Sequence, residues 1–161
     1  MSRSEGSDGK LFDAIYTAIT DTNAESHRSL FSTQVRQAYH AEKPSQKLSF
    51  LPFERKVPNK FLLWFGCRQT SAVANLREGI RLQAHEAPAT SLRFGKGIYL
   101  TDCFSRAASQ CFDQSSLSSG AASKQGMVFL VEVALGDMHR AYAPEPLLQM
   151  PPMAHSVYGV G

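Results

Sequence analysis

Residues Met127 to Leu135 read Met-Val-Phe-Leu-Val-Glu-Val-Ala-Leu, a run of nine in which only Glu132 is polar. It is the strongest strand signal in the chain, rich in the β-branched and aromatic side chains that suit a pleated surface. Both of its faces are apolar, which predicts a place in the middle of a sheet with neighbours on either side. Gly136-Asp137 then turns the chain. A strand of this kind needs partners, and Lys60 to Phe65 supplies a second one, again apolar on both faces and ended by Gly66. Neither run approaches the roughly 20 apolar residues that cross a bilayer.

The elements around these two strands are read from periodicity. Residues 1–10, rich in Ser, Gly and charge, read as a disordered leader, and the domain is expected over 11–161. Leu11, Phe12, Ile15, Tyr16 and Ile19 recur at helical spacing, so residues 11–20 are predicted to be a short amphipathic helix stopped by Asp21-Thr22-Asn23. Phe31, Thr33, Val35 and Tyr39 alternate with polar residues and predict a strand, while the polar stretch Ala41 to Ser49 predicts a loop. After Gly66, Thr70 or Ser71 can cap a helix carrying Val73 and Leu76, with Gly79 placed to stop it. Gln83 to Lys96 lacks any period and reads as a surface loop. Gly97 to Thr101 is predicted as a short strand. Phe104, Ala107, Ala108 and Cys111, at i, i+3, i+4 and i+7, predict a further helix. Ser115 to Ser123 is a Ser/Ala/Gly loop, and no internal repeat is present.

Composition narrows the functions open to such a chain. With 161 residues it can bury one core, and a net charge of +3 is too small to indicate nucleic acid by itself. The excess is local. Between Pro52 and Lys96 there are eight cations (Arg55, Lys56, Lys60, Arg68, Arg77, Arg81, Arg93, Lys96) against Glu54, Glu78 and Glu86. Such a stretch suits a phosphorylated ligand, although a solvated face is the commoner explanation. The polar N-terminus has no apolar segment behind it and carries no secretory signal. Cys67, Cys103 and Cys111 match neither a disulfide framework nor a zinc knuckle, which points to a reducing compartment. Five His without paired spacing give no metal site. Phe94-Gly95-Lys96-Gly97 lacks the third glycine of a dinucleotide fingerprint and precedes a strand rather than a helix, so it reads as a loop of close backbone approach. Cys67, just after a strand, has no His placed as its base and reads as structural.

Six blocks carry a resemblance. Leu62-Leu63-Trp64-Phe65-Gly66-Cys67-Arg68, Leu76-Arg77-Glu78-Gly79-Ile80-Arg81, Glu86-Ala87-Pro88, Phe94-Gly95-Lys96-Gly97-Ile98-Tyr99-Leu100-Thr101-Asp102, Glu132-Val133-Ala134-Leu135-Gly136 and His155-Ser156-Val157-Tyr158-Gly159-Val160-Gly161 follow one another in order. In order and spacing they resemble the catalytic domain of poly(ADP-ribose) polymerases, most nearly the DNA-dependent nuclear branch. The resemblance runs from about Ile15 to Gly161. It implies an α+β fold with a split antiparallel β-sheet core and short flanking helices, incomplete at the C-terminus. It further implies that NAD is the co-substrate, cleaved at its nicotinamide–ribose bond so that ADP-ribose passes to a protein side chain or a growing polymer.

The implied NAD-binding set is Gly66, Cys67, Ser71, Arg81 and Tyr99. Gly66 matches the glycine whose main chain pairs with the nicotinamide carboxamide, and Tyr99 the tyrosine stacked on the ring. Ser71 and Arg81 fall where the family contacts the adenosine half, Ser71 replacing an asparagine. Cys67 replaces a serine in the same turn. Phe65 stands where the family has a histidine bonded to the adenosine ribose, a bond phenylalanine cannot make. Losing it should cost about 1–3 kcal/mol. Ala107 replaces a serine that donates to the carboxamide, and Gln110 a second tyrosine. The family's catalytic glutamate lies on a later strand, and Glu132, Asp137 and Glu145 do not match it. No catalytic residue is therefore assigned, and the chain ending at Gly161 is expected to be a fragment or short form, catalytically silent: a pseudoenzyme. The rival expectation is an inactive short relative that serves as a protein-interaction module, pairing with a full-length relative. No metal, no membrane and no direct DNA contact are expected; a nuclear location follows from the resemblance alone, and a cytoplasmic one otherwise.

Overall fold

The computed structural model describes residues 7–23, 33–82, 92–112, 125–145 and 150–160. In chain order these form α1 (Ser7–Asp21), α2 (Pro44–Lys56), β1 (Lys60–Gly66), α3 (Gln69–Glu78), α4 (Phe104–Ser109), β2 (Val128–Ala134), β3 (Met138–Ala141) and β4 (Ser156–Gly159). β1 and β2 pair antiparallel, and β3 and β4 pair parallel. The class is α+β, as predicted, with the sheet split into two small ribbons flanked by short helices.

α1 is longer than the 11–20 read from its apolar stripe, of which Ile15 and Ile19 pack at the core while Leu11 and Tyr16 stand exposed. The helix begins at Ser7, inside the stretch read as leader, while residues 1–6 lie outside those described. At its other end Asp21 remains helical, and the Thr22 hydroxyl donates back to Ala18 O at 2.6 Å. Among the described residues no strand appears where one was expected around Phe31 to Tyr39: residues 33–43 are irregular, and Phe31 lies outside the described residues.

The loop expected over Ala41 to Ser49 is instead mostly α2. Lys43 is extended (φ −115°, ψ 124°) and Pro44 opens the helix, the position where a missing N–H costs nothing. No residue of α2 is buried, so no apolar stripe betrayed it. Lys43 Nζ donates to the Arg77 carbonyl and the Gln46 amide lies against Gly79, holding α2 beside the end of α3.

α3 appears where expected, but its cap does not. Arg68 precedes it, with no side-chain cap bond, and Thr70 and Ser71 lie within the helix. Gly79 ends it at φ 88°, the backbone region that favours glycine.

β1 runs against β2 from Lys60↔Ala134 to Gly66↔Val128. On its other side Trp64 exchanges both backbone bonds with Thr101, at 2.7 and 3.0 Å. This bridge is all that remains of the strand expected over Gly97 to Thr101. The Tyr99 hydroxyl bonds back to the 94–95 turn and curls the segment away from the ladder. β2, expected between two neighbours, is paired with β1 alone among the described residues. The predicted helix after Thr101 is present as α4, ending two residues short of Cys111.

The core sits where α1 and α4 close on β1. Ile19, Trp64, Phe104, Ala107 and Ala108 form it, with Ile15, Ala18, Val35, Val128 and Leu130 packed around. Trp64 meets Phe104 edge to face at 5.2 Å and donates its indole N–H to Thr22 Oγ1 at 3.1 Å. Phe104 N–H in turn donates to Thr22 O. A buried tryptophan keeps its one polar atom satisfied in this way. Trp64 thus fixes the end of β1, and with it the residues that follow.

Candidate functional site

Backbone alternation along β1 decides what its C-terminal end presents. In an antiparallel ladder, alternate residues turn their N–H and C=O to opposite edges. Trp64 spends both groups on Thr101, so Gly66, two residues on, turns its own groups to that same edge, away from β2. Tyr99, two residues before Thr101, stands on the same side of the bridge. A single backbone pairing brings the Gly66 and Tyr99 segments together.

Gly66 is also the place where α4 meets β1. A Cβ there would fall 1.8 Å from Ala107 O and 3.0 Å from Gln110 Cβ. No side chain fits, so the glycine is required by the fold itself. Ala107 and Ala108 are small enough to let α4 approach so closely, and both are buried. The two positions where the resemblance expects contacts to the carboxamide and ring, Ala107 and Gln110, therefore do border Gly66. There they offer a methyl group buried in the core and an exposed amide.

Tyr99 is 43% exposed while its hydroxyl is held twice. It accepts from Phe94 N–H at 2.9 Å and donates to Gly95 O at 2.8 Å. Gly95 is buried at φ 77°, the conformation that lets the turn close on that hydroxyl. A tyrosine anchored at its tip and otherwise exposed is the form a stacking platform takes.

Phe65 pairs in register with Phe129 of β2. The two rings lie 6.1 Å apart, tilted by 45°. The pairing of Phe65 with Phe129 could not be read from the sequence, since it depends on a register that joins residues 64 positions apart. An aromatic pair here offers no donor or acceptor to a ribose hydroxyl.

Cys67 follows β1 and is half-buried, while Cys111 is buried and donates its thiol to Met127 O at 3.2 Å. Burial pushes the Cys111 thiol up, with backbone hydrogen bonds from Cys67 and Met127 opposing. A thiol held protonated in this way is not a nucleophile. Cys103 Sγ lies 3.2 Å from Ser105 Oγ. Ser71 and Arg81 make their contacts with α3's own residues: Ser71 N–H donates to Arg68 O, and the exposed Arg81 guanidinium stands 3.7 Å from Glu78. Gly66, Cys67 and Tyr99 are thus drawn to one end of β1, whereas Ser71 lies within α3 and Arg81 just beyond its end.

At the β3–β4 ribbon, Asp137 N–H donates to His155 Nδ1 at 3.2 Å, and the Asp137 carboxylate lies 3.7 Å from the same nitrogen. Among the described residues, no three of His, Cys, Asp or Glu stand together as a metal site, and no helix is long and apolar enough to cross a membrane.

With this geometry in view, the family model described as the poly(ADP-ribose) polymerase catalytic domain matches residues 10–161. Similar proteins include a poly(ADP-ribose) polymerase 1 of Danio rerio, 33% identical over 143 residues, covering 89% of this chain and 13% of that protein. A poly(ADP-ribose) polymerase 2 of Arabidopsis thaliana is 32% identical over 157 residues, covering 97% of this chain and 23% of that protein. A poly(ADP-ribose) polymerase of Sarcophaga peregrina is 34% identical over 143 residues, covering 89% and 14%. The chain therefore spans less than a quarter of the length of each of these relatives.

Proposed function

Since this chain belongs to the poly(ADP-ribose) polymerase catalytic-domain family, we propose that its residues form the nicotinamide-facing part of an NAD-dependent ADP-ribosyltransferase site, one weakened for the adenosine half and silent in transfer by itself. The observation that carries this reading is the end of β1. There Gly66, which tolerates no side chain, turns its backbone groups to the edge where the exposed Tyr99 stands.

The reaction sets three demands. Breaking the nicotinamide–ribose bond needs the carboxamide and ring held still, the adenosine end anchored, and a carboxylate near the oxocarbenium-like ribose. Gly66 and Tyr99 answer the first. Arg81 and Ser71 answer the second in part, while the Phe65–Phe129 pair withdraws the ribose contact. The third is unanswered by the last three acids of the sequence. Glu132 is exposed on β2 opposite Leu62, Asp137 faces His155, and Glu145 donates its backbone N–H to Arg93 O. A missing carboxylate of this kind costs about a hundredfold to ten-thousandfold in rate. The acceptor is a protein side chain or polymer end, as the family chemistry requires, and the protein's place is the nucleus.

A second reading has its own observation. β2 leaves one edge without a partner among the described residues, and Phe61 and Leu62 of β1 are exposed. This favours an inactive relative that binds another protein, such as a full-length family member. Calorimetric titration with NAD separates the claims. Weak binding, well above micromolar, with no automodification is expected; micromolar or tighter binding overturns the weakened site, and automodification overturns its silence.

A further inference from the structure

Phe94 and Gly159 meet beside the turn that holds Tyr99. A Cβ at Gly159, the last residue of β4, would fall 2.5 Å from Cε2 and 2.7 Å from Cζ of the Phe94 ring. The ring therefore packs directly on bare strand backbone, which only glycine permits. Phe94 also begins the turn that grips Tyr99: its N–H donates to the tyrosine hydroxyl, which donates on to Gly95 O. A third tie comes from the segment after β3, where Glu145 N–H donates to Arg93 O at 2.6 Å. β4 is itself fixed. It pairs with β3, Val160 N–H donates to Ala141 O, and Ser156 Oγ donates to Leu135 O at the end of β2.

We propose that Phe94 is a positioning residue: seated on Gly159, it holds the turn that grips the Tyr99 hydroxyl, so the β3–β4 ribbon sets where the Tyr99 ring stands. This rests on the reading of Tyr99 as the ring that faces nicotinamide. The physical reason is preorganisation. A tyrosine whose hydroxyl both accepts and donates keeps one rotamer, whereas an untethered ring must be ordered by the ligand at the ligand's expense. Nicotinamide then feels the state of a strand through two intermediaries, Phe94 and the 94–95 turn.

The test uses the full chain, with nicotinamide and ADP-ribose titrated separately and the tyrosine ring signals followed by NMR. Phe94→Ala is expected to weaken nicotinamide about fivefold and ADP-ribose by less than about twofold. Phe94→Leu, which keeps an apolar side chain on Gly159 without reaching past the ring's place, retains most of the nicotinamide affinity. Gly159→Ala displaces the ring without removing it and acts in the same direction. Phe94→Ala combined with Tyr99→Phe is no weaker than Tyr99→Phe alone, because Phe94 acts through the hydroxyl. Unchanged nicotinamide affinity in Phe94→Ala, or an equal loss for both ligands, overturns the proposal. Without ligand, the Tyr99 ring signals should shift in both Phe94→Ala and Gly159→Ala, and no shift also overturns it. Shifted signals in a protein that takes no nicotinamide leave the link standing and sink the reading of the site.

Discussion

At the scale of single residues, Phe65 and Gly66 stand side by side under opposite constraints. Gly66 is demanded by packing, since the atom nearest its missing Cβ is a backbone oxygen that cannot rotate away. Gly66→Ala should therefore part α4 from β1 and destabilise the fold by about 2–4 kcal/mol, read as a lower urea midpoint. Phe65 answers to its cross-strand ring and not to the backbone. Phe65→His should improve NAD affinity by roughly tenfold, through the restored ribose contact, yet leave transfer undetectable. Detectable automodification by that single variant would refute the division of roles. Cys111 gives a pH effect. Its pKa lies above the ordinary 9.0 because burial disfavours the thiolate. Between the unfolded and folded values the native state binds more protons, so stability should fall as pH rises through about 9 and above. Thermal unfolding of Cys111→Ala should lack that alkaline decline.

Elements were legible where an apolar stripe faces a partner. β1, β2, α3 and α4 lie within a few residues of where periodicity puts them. α2 was missed because it buries nothing, and β3 and β4 because four residues are too few to show an alternation. The Thr70 or Ser71 cap failed for a related reason: the backbone bends into the helix at Arg68, close behind the end of β1, two residues earlier than the side chains suggest. α2 offers its own check. Pro52 sits inside it and removes one intrahelical bond. With no buried face to compensate, Pro52→Ala should raise the thermal midpoint, by a degree or more if the gain is about 1 kcal/mol. An unchanged midpoint would mean that α2 is uncoupled from the cooperative fold.

For the whole molecule, what matters is how much apolar strand remains at the edge of the β1–β2 ribbon. β2 is apolar on both faces and carries one neighbour among the described residues, and an unpaired hydrophobic edge recruits other chains. Residues 1–161 by themselves are expected to self-associate on size exclusion and to unfold over a broad range. A monodisperse monomer with a sharp transition would favour a self-sufficient interaction module. The sequence by itself determined the class, the family, the two long strands and the identity of Gly66 and Tyr99 as the residues to watch, because local periodicity and motif spacing are written along the chain. Only the tertiary structure decided that Ala107 O closes on Gly66, that Phe65 finds Phe129 across the ladder, and that Phe94 rests on Gly159. Those pairings join residues tens of positions apart, and a register or a close approach of backbones is a property of folded geometry that no local pattern encodes.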